Sequence, residues 1–525
     1  MVKILARNWV LIFTLLLAFL LRVYRLDYLE LFGDEVDAGY QSYSLLTTGR
    51  DYKGNLLPTY IHSFSEWRAP GLIYAMIPFI KLFGLNEWGV RMTSVFFGMT
   101  SILFFYLVLG LIGVDKKVKL ISIFLLAITP WHIQYSRSGF ELTLLMTVLF
   151  AGIHYLIMSK VTNNTRCLIL AGILFGLSFY VYSIANVLSP LIILLTVGFI
   201  RINRSKTALL LLVVVLTSLP IAYHIIQGHG ADRFKTMSVI SNKEIVAEVE
   251  KYRNATENKL LGKIFYNKFT LSTKKILFNY TNAFSSAFLF GQGDITFRHS
   301  LHQVGNMFWI TLPLLVYGVA YLIRARESWA RWLIGLLLIS PVASALTIDG
   351  YNHASRLFLM VFPLVWLTGY GFVKINKIAK IFVVLLLFTE LINYQFYYWN
   401  HYRNESWRWW HSGYKEAMSY VLLNKDKYRK IIMDNTYEPT LVRFLFWNKY
   451  DPRLVFGIDD QGDFCLEKRY CFVNFGDRFN PNLAESNTLY LVAYERNGYD
   501  QPEGIKIEKV ILNTYANPIF YLGHK

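Results

Sequence analysis

Long apolar runs separated by short polar loops fill the first four hundred positions, and their period predicts helices. Runs such as "ALLLLVVVLTSLPIAYHII" and "IAKIFVVLLLFTELINYQF" approach the roughly 20 residues that a helix needs to cross a hydrocarbon core. They do not alternate apolar with polar, so a β-barrel is excluded. Spans are expected near 9–21, 91–113, 119–135, 140–158, 167–184, 187–200, 207–226, 304–323, 331–347, 355–373 and 378–397, about eleven in all. "PGLIYAMIPFIKLFG" (70–84) is about three-quarters of a spanning length and carries Pro78 and Lys81, so it is expected to lie in the interface or re-enter.

That choice makes the charge pattern consistent. "DKKVK" (115–119), "SKVTNNTR" (159–166), "RINRSK" (201–206), "RARESWAR" (324–331) and "KINKIAK" (374–380) then all fall on the cytoplasmic side with the N-terminus, as the positive-inside rule requires. Counting 70–84 as a span would put all five outside. The first run, Trp9 to Leu21, is short enough for a signal-peptide core, but "RVYRLDYLELFGDE" after it has no small-residue cleavage site. It is therefore expected to be a retained anchor, with Arg22 snorkelling at its far end.

The pattern changes after residue 397. "GYKEAMSYVLLNKDKYRKIIMDN" reads as an amphipathic helix followed by a strand, and "RYCFVNF", "TLYLVAY" and "IEKVIL" read as further short strands. The expected fold class is thus an α-helical polytopic membrane protein with a C-terminal mixed α/β extracytoplasmic domain. Residues 1–397 would form the transmembrane domain, with outer loops 23–69 and 227–303. Residues 398–525 would form the outer domain, a stability or docking module in which no catalytic motif is evident.

Composition supports the membrane class: 54% of residues are hydrophobic, 17% charged, and the mean hydropathy is +0.35. The net charge of +18 sits mostly in the short loops, so it orients spans and does not imply nucleic acid. Three cysteines give no zinc spacing; Cys465 and Cys471 would pair only in an oxidising compartment.

Candidate chemistry gathers on the predicted outer face. "LFGDEVDAGYQSY" (31–43) places Asp34, Glu35 and Asp37 at a helix start; dipole compensation accounts for one acid but not three. "SEWRAPG" adds Glu66, Trp67 and Arg68, "NEWGVRM" adds Arg91, and "HIQYSRSGFE" adds His132, Arg137 and Glu141. Two later loops, "GDITFRHSLHQ" and "DGYNHASR", add Asp294, Arg298, His299, His302, Asp349, His353 and Arg356. Several outward arginines around an acidic cluster suit a site for an anionic group.

The order "GDE", "RAPG", "LFG", "VRMTSVFFG", "QYSRSGFE", and later "GDITFRHSLHQVG" and "HASR", resembles the GT-C superfamily of membrane glycosyltransferases, nearest the protein O-mannosyltransferase and aminoarabinose-transferase branch. The resemblance covers the membrane region to about residue 400. The branch commonly has "HPPL" where this chain has "RAPG", so Arg68 and Ala69 replace a His and a Pro. The resemblance implies inverting transfer of a sugar from a polyprenyl-phosphate donor, on the outer face of the plasma membrane, to a protein, lipid or glycan acceptor. Asp34 would be the general base or a metal ligand, and Glu35 would orient the acceptor. The leaving lipid phosphate needs fixed cations, for which Arg91, Arg137 and Arg356 come first and Arg68, Arg298 and His353 second. Tyr40, Trp67 and Glu141 are candidate sugar or acceptor contacts. A divalent cation (Mg2+ or Mn2+) is expected only if Asp34 with His299 or His302 supplies its ligands. Asp37 reads as a first-turn helix charge. A transporter or lipid flippase stays open as another class, with Glu390 as its main intramembrane acid, and so does a non-catalytic assembly protein.

Overall fold

The computed structural model describes residues 2–63, 66–227, 238–325, 327–435, 439–458, 462–476 and 478–525. The chain folds as two compact units. The first comprises Met1–Tyr24, Glu66–Gly71 and Ser94–Tyr398, and the second Arg25–Ser65, Leu72–Thr93 and Trp399–Lys525.

The first unit is helical: α1 (Val2–Val23), most of α4 (Glu87–Leu111), α5 (Lys116–Ile128), α6 (Pro130–Arg137), α7 (Leu142–Val161), α8 (Thr165–Ser178), α9 (Ala185–Ile200) and α10 (Arg204–Ile226). After the loop helices α11 (Lys243–Asn254), α12 (Lys259–Phe265) and α13 (Lys268–Asn282) come α14 (Thr311–Arg324), α15 (Ala330–Ile339), α16 (Val342–Ala345), α17 (Val361–Lys374) and α18 (Lys377–Tyr397). The short polar loops start these helices as well as carrying charge. Asp115, Asn164, Asn203 and Asn376 cap α5, α8, α10 and α18, each side-chain oxygen accepting a first-turn N–H. Helices α14 and α17 approach closely because Gly318 faces the Leu367 carbonyl and Gly371 the Leu314 carbonyl, where a Cβ would collide.

Among the described residues, α4, α7, α10 and the helix beginning at Lys377 are long and apolar enough to cross a membrane, and the α5–α6 pair makes a fifth if taken as one span. The other expected spans are apolar helices of 10–17 residues. The span expected at 119–135 is broken by 56°. Pro130 lacks an N–H and forces Thr129 into an extended conformation, ending α5 there. The segment at 70–84 forms α3 (Gly71–Phe83), an apolar helix of 13 residues. Within the expected loop 227–303, residues 228–237 lie outside the described ones, and most of the remainder is helical.

The second unit is built on a six-stranded mixed sheet, order β4-β5-β3-β6-β8-β7, from β3 (Lys430–Asp434), β4 (Phe464–Leu466), β5 (Tyr470–Val473), β6 (Thr488–Ala493), β7 (Lys506–Leu512) and β8 (Pro518–His524). Strand β3 runs parallel to β5 and β6; the other pairs are antiparallel. Cys465 and Cys471 sit opposite one another on β4 and β5 and are disulfide-bonded.

The loop expected to belong to the membrane domain folds instead with the tail. Its helix α2 (Gly33–Thr48), together with α3, shares one apolar core with α19 (Tyr414–Asn424), α20 (Thr440–Trp447) and the sheet, through residues such as Val36, Tyr40, Met76, Val90, Met418, Phe446, Leu491 and Leu522. The alternation read along the tail strands reports only their own faces. The apolar face of α2 and α3 supplies the missing cover.

At Gly39 the fit is tight: a Cβ would stand 2.6 Å from Phe446 and 2.8 Å from Val90. Gly39→Ala is therefore expected to cost about 1–3 kcal/mol through overpacking. The check is a lowered unfolding midpoint of the detergent-solubilised full chain.

Candidate active site

In the second unit, the "GDE" segment begins α2, and its three acids have different surroundings. From Leu31 to Ser42 every residue is buried except Asp34, which is half-buried in the first turn. Glu35 is enclosed. Its Oε1 accepts from Arg91 Nε at 2.8 Å, and its Oε2 accepts from Arg91 Nη2 at 2.8 Å and from the Phe32 N–H at 3.3 Å. Arg91 also donates to the carbonyls of Leu26, Leu29 and Glu30, so all five of its N–H groups are engaged, and Trp410 lies against its guanidinium.

Arg91, expected at a donor phosphate, and Glu35, expected at an acceptor, form a buried, bidentate pair that holds the turn before α2. The surroundings of Asp37 also differ from expectation. It is fully buried, and its Oδ2 accepts from Ser63 Oγ at 2.5 Å, so it ties α2 to β1 (Ile61–Ser63) and is not a solvated first-turn charge. Tyr40 is a core residue donating to the Tyr450 carbonyl at 2.9 Å. Burial holds its phenol well above the ordinary range, so it remains a donor.

Tail residues that the sequence did not mark help to position the start of α2. His411 Nδ1 accepts the Gly33 N–H at 3.1 Å and is hydrogen-bonded to Arg443 Nη2 at 2.6 Å; Phe32 packs edge-on to Trp410. Glu30 accepts the N–H groups of Gly413 and Lys415 at the start of α19. "WRWWHSGYKE" carries a legible aromatic cluster, but nothing in it announces a partner some 380 residues away.

In the first unit, the sharp start of α6 brings three sequence motifs together. Trp131 donates its backbone N–H to Asn306 and its indole N–H to Ala354, and Gln134 donates to the Arg298 carbonyl. Tyr135 Oη and His299 Nδ1 share a hydrogen bond of 2.9 Å, with Phe140 against the His299 ring. His299 neighbours His353, at 5.5 Å between ring centroids. Asp294 accepts the Ala354 N–H at 2.7 Å and lies 3.9 Å from His353 Nδ1. Ser355 Oγ completes the group at 2.9 Å from the same His353 nitrogen. "QYSRSGFE", "GDITFRHSLHQ" and "DGYNHASR" thus converge on one cluster.

The arginines of this unit differ from expectation. Arg137 Nη1 donates to the carbonyls of Leu21, Arg22 and Tyr24, capping the end of α1, and its Nε donates to Tyr398. Arg356 is paired with Asp349 and donates to Thr347. Arg22 does not snorkel. It is fully buried, donating to the carbonyls of Ala18 and Ala127 and to His132 Nδ1. Of these arginines, Arg22 and Arg137 donate to main-chain carbonyls, partners that tertiary packing supplies. Arg68 and Trp67 are half-buried on β2 (Glu66–Arg68), and Glu141 is half-buried at the start of α7.

Among the described residues no group of three His, Cys, Asp or Glu side chains is arranged to hold a metal ion. His302 stacks on Phe297, and His299 bonds to Tyr135.

Removing the His299 imidazole leaves a buried Tyr135 hydroxyl without that partner. His299→Ala is expected to cost about 1–3 kcal/mol of stability. His299→Gln, which retains a hydrogen-bonding end, is expected to recover part of it in the same thermal unfolding assay.

Residues 68–224 match the model of a family described as dolichyl-phosphate-mannose-protein mannosyltransferase. No curated protein matches the chain. Among solved structures, the apo oligosaccharyltransferase of Archaeoglobus fulgidus is similar at 13% identity and a TM-score of 0.50, over 93% of this chain and 69% of that one. Another structure of that archaeon's enzyme, AglB, holding an inhibitory peptide and a dolichol-phosphate, is similar at 14% identity and a TM-score of 0.48, over 91% of this chain and 66% of that one. The chain thus spans about two thirds of the archaeal enzyme's length. Apo ArnT from Cupriavidus metallidurans is similar at 11% identity and a TM-score of 0.47, over 98% of each chain. By class the protein is a membrane glycosyltransferase with the GT-C fold.

Proposed function

We propose that the protein moves a sugar from a polyprenyl-phosphate-linked donor to an acceptor nucleophile on the extracytoplasmic face of the membrane, with inversion, and that Asp34 is the base. The description of the family matched by residues 68–224, dolichyl-phosphate-mannose-protein mannosyltransferase, supports this donor chemistry and a protein as acceptor. The observation that carries the role of Asp34 is its exposure. Of the three acids in the motif it alone is not enclosed, and the elements around it are pinned by the Glu35–Arg91 pair and by His411. In the reaction Asp34 accepts the acceptor's proton as the nucleophile attacks the anomeric carbon from the face opposite the leaving phosphate. That attack inverts the centre, and the lipid phosphate departs with the bonding pair.

His353, half-buried beside His299 and Asp294, is the imidazole proposed for the donor phosphate, since an N–H group held in place can stabilise charge developing on a leaving oxygen. Arg68 and Arg298 remain the cations proposed for the donor. The transporter reading loses its main residue: Glu390 accepts the Ile310 N–H at the start of α14, a helix-end role.

The test uses the purified full chain with a labelled polyprenyl-phosphate sugar and a cell-envelope acceptor extract. Label passing to acceptor, with a product anomer opposite to the donor's by NMR, is expected. Donor left intact while a substrate crosses vesicles containing the protein would overturn the proposal in favour of transport.

A further inference from the structure

The loop helices between α10 and α14 have an inverted polarity. A surface helix normally turns its apolar stripe inward. Helix α12 turns it out. Leu260, Ile264 and Phe265 are 69%, 54% and 63% exposed, Leu261 is exposed beside them, and the helix position facing inward is Gly262. Phe269, in the first turn of α13, continues the surface at 78% exposure.

The arrangement is held from behind. Val239, Ile245, Val249 and Leu271 form a small core under α11 and α13. Arg253 Nε donates to the Tyr266 carbonyl at 2.6 Å, and Asn279 Nδ2 donates to the Thr347 carbonyl at 2.8 Å. The apolar surface is therefore presented by a braced scaffold and is not an unpacked end.

Charge selects its occupant. Lys259, Lys263, Lys268, Lys274 and Lys275 flank the apolar residues, and no acidic residue occurs between Lys259 and Tyr280. On α12 the two lysines lie to one side of the apolar arc, where their stems can run along it and their ammonium groups can reach headgroups. An apolar face bordered by lysines and carrying phenylalanine matches an anionic bilayer surface, in which such faces sink to about 5–10 Å. The flanking helices, α10 and α14, are apolar membrane elements, so the loop is tethered at both ends to the membrane region.

We propose that α12 and the first turn of α13 form a membrane-surface anchor, with Leu260, Ile264, Phe265 and Phe269 inserted into the leaflet facing this loop and the lysines bound to anionic lipid headgroups. The anchor is independent of the transfer chemistry.

The test places a nitroxide at Ile264→Cys or Phe269→Cys, in a Cys167→Ser background that leaves the disulfide intact. The full chain is reconstituted in nanodiscs of phosphatidylcholine alone or of phosphatidylcholine with phosphatidylglycerol. Both labels are expected to collide with oxygen in preference to a nickel chelate, and a label at Glu257→Cys to show the reverse. The labels at 264 and 269 are expected to shift deeper with phosphatidylglycerol, and K259Q/K263Q/K268Q/K274Q to lose that shift. Labels as open to nickel as position 257 would overturn the proposal. So would labels shielded from both reagents, which would mean that a protein surface, such as a second copy, covers the face. Equal depth in the two lipid mixtures would also defeat it, by removing the role of anionic lipid.

Discussion

Replacing Asp34 by Asn is expected to lower the turnover of sugar transfer by about 10²–10⁴-fold, the range for loss of a positioned general base. That is roughly 3–5 kcal/mol of barrier. Asn preserves the volume and the helix start but cannot take a proton. Stability is expected to change less than the rate, because Asn keeps a polar side chain of the same size at this half-buried first-turn position. The informative measurement is therefore a pair: the initial rate with labelled donor and the unfolding midpoint of the same preparation. A rate equal to wild type sinks the assignment of Asp34. A rate that falls together with the midpoint would place Asp34 among the structural residues instead.

Arg91 and Glu35 should behave in the opposite way. Both are buried, and either single truncation leaves an uncompensated charge inside the second unit. Such a loss typically costs about 3–5 kcal/mol. Arg91→Ala and Glu35→Ala are each expected to destabilise the full chain by that amount. Arg91→Lys is expected to rescue little, because an ammonium cannot reproduce the planar fork that reaches Glu35 and three carbonyls at once. In a double-mutant cycle the two truncations should be strongly non-additive. If Arg91→Ala keeps its midpoint but loses affinity for the lipid-phosphate donor, the phosphate role returns and the structural one fails.

The contrast shows what kind of information each residue carries. In the sequence, Asp34, Glu35 and Asp37 are three carboxylates within four positions, and helix periodicity cannot rank them. Their partners come from distant parts of the chain: Arg91 for Glu35 and Ser63 for Asp37. The arginines posed the same difficulty. Arg137 was legible as a basic residue at a helix end, but the three carbonyls it caps belong to the end of α1, over a hundred residues earlier. By contrast, the convergence of the Tyr135, His299 and His353 motifs was partly legible, because charge in the short loops put all three on one predicted face.

The amino-acid order by itself determined the helical membrane class, the basic loops with their capping Asp and Asn residues, the short length of α3, and the change to an α/β pattern after residue 397. Each depends on hydropathy, chain length or a side chain reaching its own neighbours, all of which are local. The tertiary structure alone decided that the first loop folds with the tail. It also decided which partners within the protein Arg91, Arg137 and Arg356 meet and that Asp34 is the acid left half-exposed. Burial and ion pairing are properties of non-local packing, so identical residue types acquire different roles only when the chain closes around some of them.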